Sequence, residues 1–323
     1  MIEMTAAYPA AAIERDQWIV SQRPRRNQLD PLQPYAFFVE DEHSAEGAIV
    51  PAATVLLTNR ECPWRCAMCD LWKNTLTEGV PVGAIPAQID YALAQLPLAQ
   101  VIKLYNSGSF FDSRAIPVDD CRAIAARVKS FERVIVECHP SLVSERCLAF
   151  RDLLSGKLEV AMGLETAHPA VLEKLNKRMT LDQFAQAADF LRKHEIDLRV
   201  FILVQPPFMP AGESLHWAQR SLDFAFDCGA TAAVLIPTRV GNGAMEALAA
   251  NGDFTPPELE ILEEAMDYGQ NLSRGRVFVD MWDLRNASGC LSCHPARIAR
   301  LQAMNLQQAI LRSIRCAQCG DAN

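Results

Sequence analysis

Short apolar runs alternate with segments of helical periodicity along most of the chain. Six near-continuous apolar runs, typical of strands buried on both faces, cover residues 52–58, 100–106, 133–139, 158–165, 197–205 and 232–238. The helical segments between them cover residues 86–96, 119–130, 144–154, 168–177, 181–194 and 214–229. This alternation predicts a parallel sheet with right-handed crossover connections. A further helix at 256–272 and a strand at 276–282 follow.

The two ends of the chain depart from this rhythm. The first fifty residues contain the Pro-rich, charged stretch RPRRNQLDPLQP and predict an irregular arm that wraps the main domain. The last forty residues carry cysteines of their own. We therefore expect an N-terminal arm over 1–50, an α/β core over 51–282 and a small C-terminal extension over 283–323. Pattern alone leaves a barrel and a doubly wound sheet as alternatives for the core.

Composition narrows the class of protein. The 323 residues suffice for one large α/β domain with a small appendage. The net charge of −8 argues against broad, non-specific binding to nucleic acid or to an anionic membrane. The N-terminus lacks a basic start followed by an apolar run, and no stretch approaches the roughly 18 apolar residues of a membrane span. The sequence thus predicts a cytoplasmic protein without a membrane partner.

Eleven cysteines are unlikely to form disulfides in such a protein. Seven of them fall into two tight clusters, which favours metal binding. The other four stand in apolar surroundings and are interpreted as small core residues, namely Cys121, Cys138, Cys147 and Cys228.

The first cluster lies in RECPWRCAMCDLWK, directly after the first predicted strand. Its three cysteines, Cys62, Cys66 and Cys69, have the spacing Cys-x3-Cys-x2-Cys. In a parallel barrel the loops at the carboxyl ends of the strands form the active face. Three thiolates can hold three irons of a [4Fe–4S] cluster and leave the fourth iron open. A zinc site completed by Asp70 or by a distant histidine is the alternative, as is a chance grouping.

The second cluster consists of two CxxC pairs, Cys290/Cys293 and Cys316/Cys319, separated by 22 residues. Four thiolates suit a structural zinc, and they equally suit an auxiliary [4Fe–4S] cluster in number. The segment between the pairs has no acidic residue and predicts an amphipathic helix. Its basic residues either contact nucleic acid or dock the helix on the acidic domain; they are Arg297, Arg300, Arg312 and Arg315.

A CxxxCxxC motif after a first strand, followed by β/α units, resembles the radical S-adenosylmethionine (SAM) superfamily. The resemblance implies a six-stranded partial TIM barrel and an open iron chelated by the amino and carboxylate groups of SAM. It also implies that one electron from the cluster cleaves the sulfonium of SAM and yields a 5′-deoxyadenosyl radical. An electron donor such as flavodoxin or ferredoxin would supply that electron to the cluster. Where that family usually has an aromatic residue before the third cysteine, this chain has Met68.

The resemblance also assigns polar residues at the strand ends to SAM. Glu137 and Glu165 end the third and fourth strands and would contact the ribose hydroxyls or the ammonium; an ion pair is the alternative. Apolar residues at Leu203 and Ile236 would flank the adenine. The remaining expected contacts are the turn Asn106, Ser107, Gly108 and Ser109, the cations Lys177 and Arg178, and Gln205 at the rim.

Two smaller expectations concern single side chains. Cys138, beside a carboxylate at a strand end, is a candidate second hydrogen donor. The histidines His139, His168 and His194 are interpreted as surface or capping residues rather than catalysts.

The segments ECxxxCxxC, NSGSFFD, VECHP, GLET, NKRMT and PPF resemble the branch related to the elongator catalytic subunit and to the radical SAM subunit of archaeosine synthase. That resemblance implies a lyase- or transferase-type enzyme acting on a modified 7-deazaguanine base in tRNA, with cleavage of a C–N bond. A radical SAM enzyme for a small metabolite or peptide, which the acidic charge favours, is an alternative. A non-catalytic zinc-binding interaction protein on a barrel scaffold is another.

Overall fold

The computed structural model describes residues 7–284 and 290–319; the remaining parts of the predicted arm and extension, 1–6, 285–289 and 320–323, lie outside the described residues. Eight strands form one sheet in unbroken chain order. The strands are β1 Ala36–His43, β2 Ile49–Leu56, β3 Val101–Tyr105, β4 Arg133–Glu137, β5 Lys157–Glu165, β6 Asp197–Val204, β7 Ala232–Pro237 and β8 Arg276–Val279. The first pair is antiparallel, and every later pair from β2 to β8 is parallel.

The described residues form ten helices, most of which pack against one face of this sheet. They are α1 Ala12–Ser21, α2 Ala84–Leu93, α3 Cys121–Arg127, α4 Glu145–Arg151, α5 Pro169–Lys174, α6 Leu181–Lys193, α7 Ser214–Asp227, α8 Ala244–Ala250, α9 Leu259–Asn271 and α10 His294–Gln307. Local sequence explains their ends; Thr180 and Gln183, for example, form a capping box at the start of α6. None of the described helices has the length and apolar character needed to cross a membrane.

The predicted fold class, a β/α partial barrel, is confirmed by the strand order. A doubly wound sheet reverses direction at a switch point, whereas here each parallel strand is added on the same side of the previous one. Winding in one direction curls the sheet into an open barrel. The strand predicted after 256–272 joins this sheet as β8, so the parallel series has seven strands.

The expectation of irregular structure over 1–50 is wrong for two stretches, α1 and β1. The strand β1 reads AFFVEDEH and lacks a clean apolar alternation because Glu40 and Glu42 share one of its faces, where they meet basic residues of other strands. Glu40 contacts Lys103 at 2.9 Å, and Glu42 contacts Lys103 at 2.5 Å and Arg199 at 2.6 Å. A strand that carries acidic residues on its inner face has no apolar alternation, so its sequence looks like that of a loop. The short helix α8 is a further element that the apolar pattern does not predict.

The two faces of the sheet have different chemistry. In β4, Val134 and Val136 belong to the main hydrophobic core under the helices. Ile135, with the opposite orientation, belongs to a small separate cluster with Ala52 and Val101. Since side chains alternate along a strand, the second set marks the inner face, which lines a lumen.

Ion pairs close the lumen at the amino ends of the strands. Glu159 is fully buried and accepts contacts from three guanidinium groups, those of Arg133 at 3.2 Å, Arg199 at 2.6 Å and Arg276 at 3.2 Å. We call these four residues, with Glu42 and Lys103, the lumen floor. Because these side chains fill the amino end, the opposite, carboxyl end of the lumen is the expected place for a site.

Candidate functional site

The three-cysteine loop follows β2 and lies over the carboxyl ends of the parallel strands. Its three cysteines are free and half-buried. Loops after other strands hold its backbone in place. Asn176 donates to the Arg65 carbonyl at 2.7 Å, and Asn242 donates to the carbonyls of Ala67 at 2.8 Å and Cys69 at 3.0 Å. The loop is therefore fixed by contacts from both sides of the barrel mouth.

The tryptophan inside the motif anchors the loop to β4. Trp64 stacks on His139, with ring centroids 3.7 Å apart and an angle of 8° between the planes. Burial and the nearby charge of Lys177 lower the pKa of His139 to about 3, so the imidazole is neutral. Its Nδ1 accepts from the Ser141 backbone N–H at 3.2 Å and caps a short turn. The expected capping role of His139 is confirmed.

Arginines from the N-terminal segment bind the same loop. Glu61, which precedes the first cysteine, pairs with Arg23 at 2.7 Å and also with Arg26. The guanidinium of Arg23 lies over the Trp72 ring, 4.6 Å from its centroid. The segment before β1 thus packs on the three-cysteine loop, although sequence reasoning had assigned it no role at the site.

The turn after β3 lies against this loop and is bound by Glu137. The carboxylate of Glu137, at the end of β4, accepts the backbone N–H groups of Asn106 at 2.8 Å and Ser107 at 3.1 Å. Burial raises the pKa of Glu137 to about 7, although these N–H groups act in the opposite direction. A Cβ on Gly108 would lie 3.3 Å from Cys62 Cβ, so the glycine permits close contact between turn and loop.

Asn106 carries an unused hydrogen-bonding group. Its side chain is fully buried, and neither its amide nitrogen nor its amide oxygen has a partner among the described residues. The neighbouring Asn59 donates to the Asn106 carbonyl at 2.7 Å, while its own side-chain oxygen has no partner within the described ranges. Buried amides without partners are costly and point to a ligand that supplies them.

A buried ion pair joins the ends of β5 and α5. Glu165 and Lys177 are in direct contact, and both are buried. A Cβ on Gly163 would overlap the carboxylate and the ammonium, so this glycine makes room for the pair. Burial lowers the pKa of Lys177, but Glu165 and then Cys66 raise it by more, and the group stays charged. The structure thus shows Glu165 in an ion pair, which was the alternative interpretation of this residue. The pair lies next to the three cysteines.

Two expected SAM contacts are engaged elsewhere. Arg178 is exposed on the outside and donates to the Ala12 carbonyl at 2.6 Å and to Asp16 at 2.9 Å, both on α1. The side-chain amide of Gln205 is buried and hydrogen-bonded to Thr255, at 2.6 Å from its hydroxyl, and to Ser214, at 3.1 Å. Neither side chain is brought to the group around Glu137.

The structure places Cys138 away from the lumen. It belongs to the main core on the helix side of β4, with its sulfur 3.5 Å from the Ser109 hydroxyl. That orientation does not favour a hydrogen donor to a substrate in the lumen. Ser109 itself accepts from the His139 backbone N–H at 3.2 Å and so supports the end of β4.

The residues expected around adenine do lie together. Leu203, Ile236 and Met68 share one small apolar cluster beside the three-cysteine loop. Met68 also packs against a second cluster that contains Trp18 of α1. Met68, which stands where the radical SAM family usually has an aromatic residue, thus packs between the three-cysteine loop and the barrel.

The three thiols of this loop lie in a buried environment that disfavours their charged form. Burial raises the pKa of Cys62 to about 11 and that of Cys69 to about 12, and it also raises the pKa of Cys66 well above the usual value of a thiol. Deprotonation here therefore requires a bound cation. Among residues 7–284 and 290–319, one group of at least three His, Cys, Asp or Glu side chains has its ligand atoms within 4.8 Å of one another. This group consists of the four C-terminal cysteines. The sulfurs of Cys62, Cys66 and Cys69 therefore do not form so compact a group.

The C-terminal cysteines form a compact four-sulfur group. The sulfur of Cys290 lies 3.8 Å from that of Cys316, and the sulfur of Cys293 lies 3.6 Å from that of Cys319. All four sulfurs lie within 4.8 Å of one another, as a metal site requires. Two pairs that are far apart in the sequence are thus brought together by the fold.

The basic segment between these pairs docks on α9. Arg297 donates to Glu263 at 2.8 Å, and Arg300 donates to Asp267 at 2.7 Å. The interpretation as a helix face docked on the acidic domain is confirmed for these two residues. Arg312 and Arg315 are exposed.

Comparison with known proteins agrees with the expected branch. No protein-family model matches the chain. An archaeosine synthase subunit beta from Methanosarcina acetivorans is 25% identical over 280 residues, which covers 81% of this chain and 80% of that protein. An uncharacterized protein of Methanocaldococcus jannaschii is 25% identical over 260 residues and covers 74% of this chain and 71% of its own length.

Solved structures give distant likenesses. The archaeal Elp3 of Methanocaldococcus infernus superposes with a TM-score of 0.49 at 14% identity, over 72% of this chain and 60% of its own. A radical SAM methyltransferase of Kitasatospora setae gives a TM-score of 0.43 at 20% identity, over 58% of this chain, and the match spans only 38% of that enzyme. The sequence relatives confirm the predicted resemblance: the chain is similar in sequence to proteins named archaeosine synthase subunit beta.

Proposed function

We propose that the chain is a radical SAM enzyme that cleaves S-adenosylmethionine reductively at a [4Fe–4S] cluster held by Cys62, Cys66 and Cys69. One observation carries the proposal: three half-buried thiols lie over the mouth of a parallel β/α barrel and are less closely grouped than the four C-terminal thiols. When bound, the cluster supplies the electron that breaks the sulfonium bond, and its fourth iron is free for SAM. An electron donor such as flavodoxin or ferredoxin is required for this reaction.

The surrounding residues supply what a bound SAM needs. Gly108 lets the turn lie against Cys62, and the unpaired amide of Asn106 offers both a donor and an acceptor. Glu137 organises this turn from behind. On the other side, the pair Glu165–Lys177 places one negative and one positive group beside the cysteines, suited to the ammonium and carboxylate of the cofactor.

The inner face of the barrel below the loop carries groups that suit a substrate. Tyr105 and Phe201 line it with rings 6.1 Å apart in an edge-on arrangement. Asp280 faces it from the end of β8, and burial raises the pKa of this carboxyl. Thr54 is buried on the same inner face, and its hydroxyl has no partner in the described part of the chain. Aromatic surfaces with a few polar groups suit a planar, hydrogen-bonding substrate.

A modified tRNA base is the proposed substrate class. The support is sequence similarity to proteins named archaeosine synthase subunit beta, over about four fifths of one of them. A small metabolite or peptide is the second candidate, and the net charge of −8 favours it, because tRNA is repelled by an acidic surface. A non-catalytic zinc protein is the third candidate, and it predicts a colourless protein.

At the C-terminal cysteines we propose one zinc ion. A Zn–S bond of about 2.3 Å places sulfurs at the corners of a tetrahedron with edges of about 3.8 Å. The two measured separations, 3.8 Å and 3.6 Å, match that edge. In an auxiliary [4Fe–4S] cluster each sulfur binds a different iron, which spreads the sulfurs farther apart.

The central experiment is anaerobic reconstitution followed by addition of dithionite and SAM. We expect about four irons per chain, about one zinc, and formation of 5′-deoxyadenosine. Cys66→Ala should lose most of the iron and all SAM cleavage, whereas Cys228→Ala, a half-buried cysteine outside both clusters, should retain both. Full cleavage by the Cys66 variant would contradict the role of the first cluster. About eight irons and no zinc would assign the second site to iron–sulfur chemistry.

The substrate class needs a separate experiment. Retention on immobilised tRNA that weakens steeply with salt would support the tRNA base, since phosphate contacts release counterions. SAM cleavage without any retention on tRNA would favour the small-molecule candidate. A colourless protein with two zincs would instead support the interaction protein.

A further inference from the structure

The helix α10 occupies the gap between the two edges of the open sheet. It contacts both β1 and β8, which are the first and last strands. At the narrow end of the gap, Arg276 of β8 donates to the His43 carbonyl at 3.3 Å. The ring Nδ1 of His43 lies 2.9 Å from the Leu306 carbonyl at the end of α10. The helix therefore fills the place where another strand would complete a closed barrel.

Two side-chain amides of this segment bind the free edge of β8 as a strand would. The backbone N–H groups of Arg276 and Asp280 point to β7, so those of Val277 and Val279 point outward. Asn305 accepts from the Val279 N–H and donates to its carbonyl, both at 2.8 Å. Gln308 does the same for Val277, at 2.8 and 2.9 Å. The backbone N–H and carbonyl groups of Val277 and Val279 therefore all have hydrogen-bond partners.

The helix is also part of the core, and the chain segments on both sides of it carry the four cysteines. Leu301 and Met304 are fully buried in the main hydrophobic cluster. The chain enters α10 directly after Cys293, which precedes its first residue, and then returns so that Arg300 donates to the Leu311 carbonyl at 2.8 Å. The four sulfurs thus join the start of the helix to the segment that returns along it.

We propose that one tetrahedrally bound metal ion of the zinc class at Cys290, Cys293, Cys316 and Cys319 locks α10 into the gap between β8 and β1. The ion closes a loop around the helix and holds Asn305 and Gln308 in register with β8. Without it, the amides withdraw and β8 becomes an exposed edge, a state that proteins avoid because free edges pair with other chains. This role is independent of the cluster at the first site and of any reaction there.

Hydrogen exchange and metal analysis of the full chain test the proposal. In Cys316→Ser/Cys319→Ser we expect zinc to fall from about one per chain to near zero. Exchange at Val277 and Val279 should become at least about tenfold faster. The amides of β4 provide the internal reference and should not change. Loss of zinc with unchanged exchange at β8 would overturn the proposal, and so would full retention of zinc in the variant.

Two further measurements keep the test decisive if that variant does not fold. Zinc is removed from the wild-type chain with a mild chelator, and exchange is followed over time. Loss of protection at β8 before β4 supports the proposal, whereas simultaneous loss overturns it. The variant Asn305→Leu should keep its zinc, lose protection at Val279 and keep it at Val277. Unchanged protection at Val279 would show that the amide does not cap the strand.

Discussion

The buried carboxylate of the lumen floor should be the most sensitive single charge in the fold. Glu159 is completely buried and contacts three guanidinium groups at 2.6 to 3.2 Å. Glu159→Gln keeps the shape of the side chain but leaves three buried positive groups without their shared counter-ion. Breaking a buried ion network in this way costs on the order of 3–5 kcal/mol in the free energy of unfolding. The loss is large because the cations cannot regain water without opening the barrel.

The assay is urea unfolding at neutral pH, followed by tryptophan fluorescence. Asp227→Asn is the matched control: Asp227 also contacts an arginine, Arg274 at 2.8 Å, but both side chains are well exposed. That pair should contribute only about 0–1 kcal/mol. The two variants should therefore differ by at least about 2 kcal/mol, a ratio of about thirty in the unfolding equilibrium constant. Equal stability of the two variants would refute the reasoning that the floor is a buried, desolvated network.

Three other outcomes follow from the site and the floor. Gly163→Ala should displace the Glu165–Lys177 pair and lower SAM cleavage roughly tenfold at unchanged iron content, while Gly212→Ala, where a Cβ meets open space, should leave cleavage unchanged. Trp64→Leu removes the stack that anchors the three-cysteine loop, so iron should be lost faster to a chelator; unchanged loss would contradict that anchoring role. Burial raises the pKa values of the two floor carboxyls, Glu42 and Glu159, but the surrounding cations lower them by more. Wild-type stability should therefore fall as the pH drops below about 4.5, the ordinary pKa of a glutamate. The acid unfolding midpoint measures this, and a pH-independent stability down to pH 3 would contradict it.

Much of the site could be predicted because its signals are local. The spacing of Cys62, Cys66 and Cys69 is a property of one short segment, and its place after a strand follows from an apolar run. The same holds for Gly108 and Glu137, which stand at the ends of strands whose carboxyl ends meet. Arg178 and Gln205 were assigned by similar reasoning, yet their side chains bind α1 and the Thr255 segment. Their positions in the sequence place both residues near the mouth of the barrel, but packing determines where their side chains point.

The missing elements have a common physical cause. Prediction of strands relied on apolar runs, whereas β1 turns Glu40 and Glu42 into a charged lumen. Nothing in the sequence near β1 indicates that Lys103 and Arg199 lie opposite, since these partners come from β3 and β6. The roles of Trp64, Gly163 and Asn305 were missed for the same reason, because each depends on a partner that is distant along the chain.

The sequence by itself determined the β/α rhythm, the three-cysteine motif and the presence of four further thiols, because these depend on periodicity and spacing within short segments. Tertiary structure alone decided that Cys290 meets Cys316, that the lumen is sealed by ion pairs at one end and that α10 closes the sheet. These features join segments from opposite ends of the chain. Their energies depend on burial and on distances between side chains, which exist only after the barrel has closed.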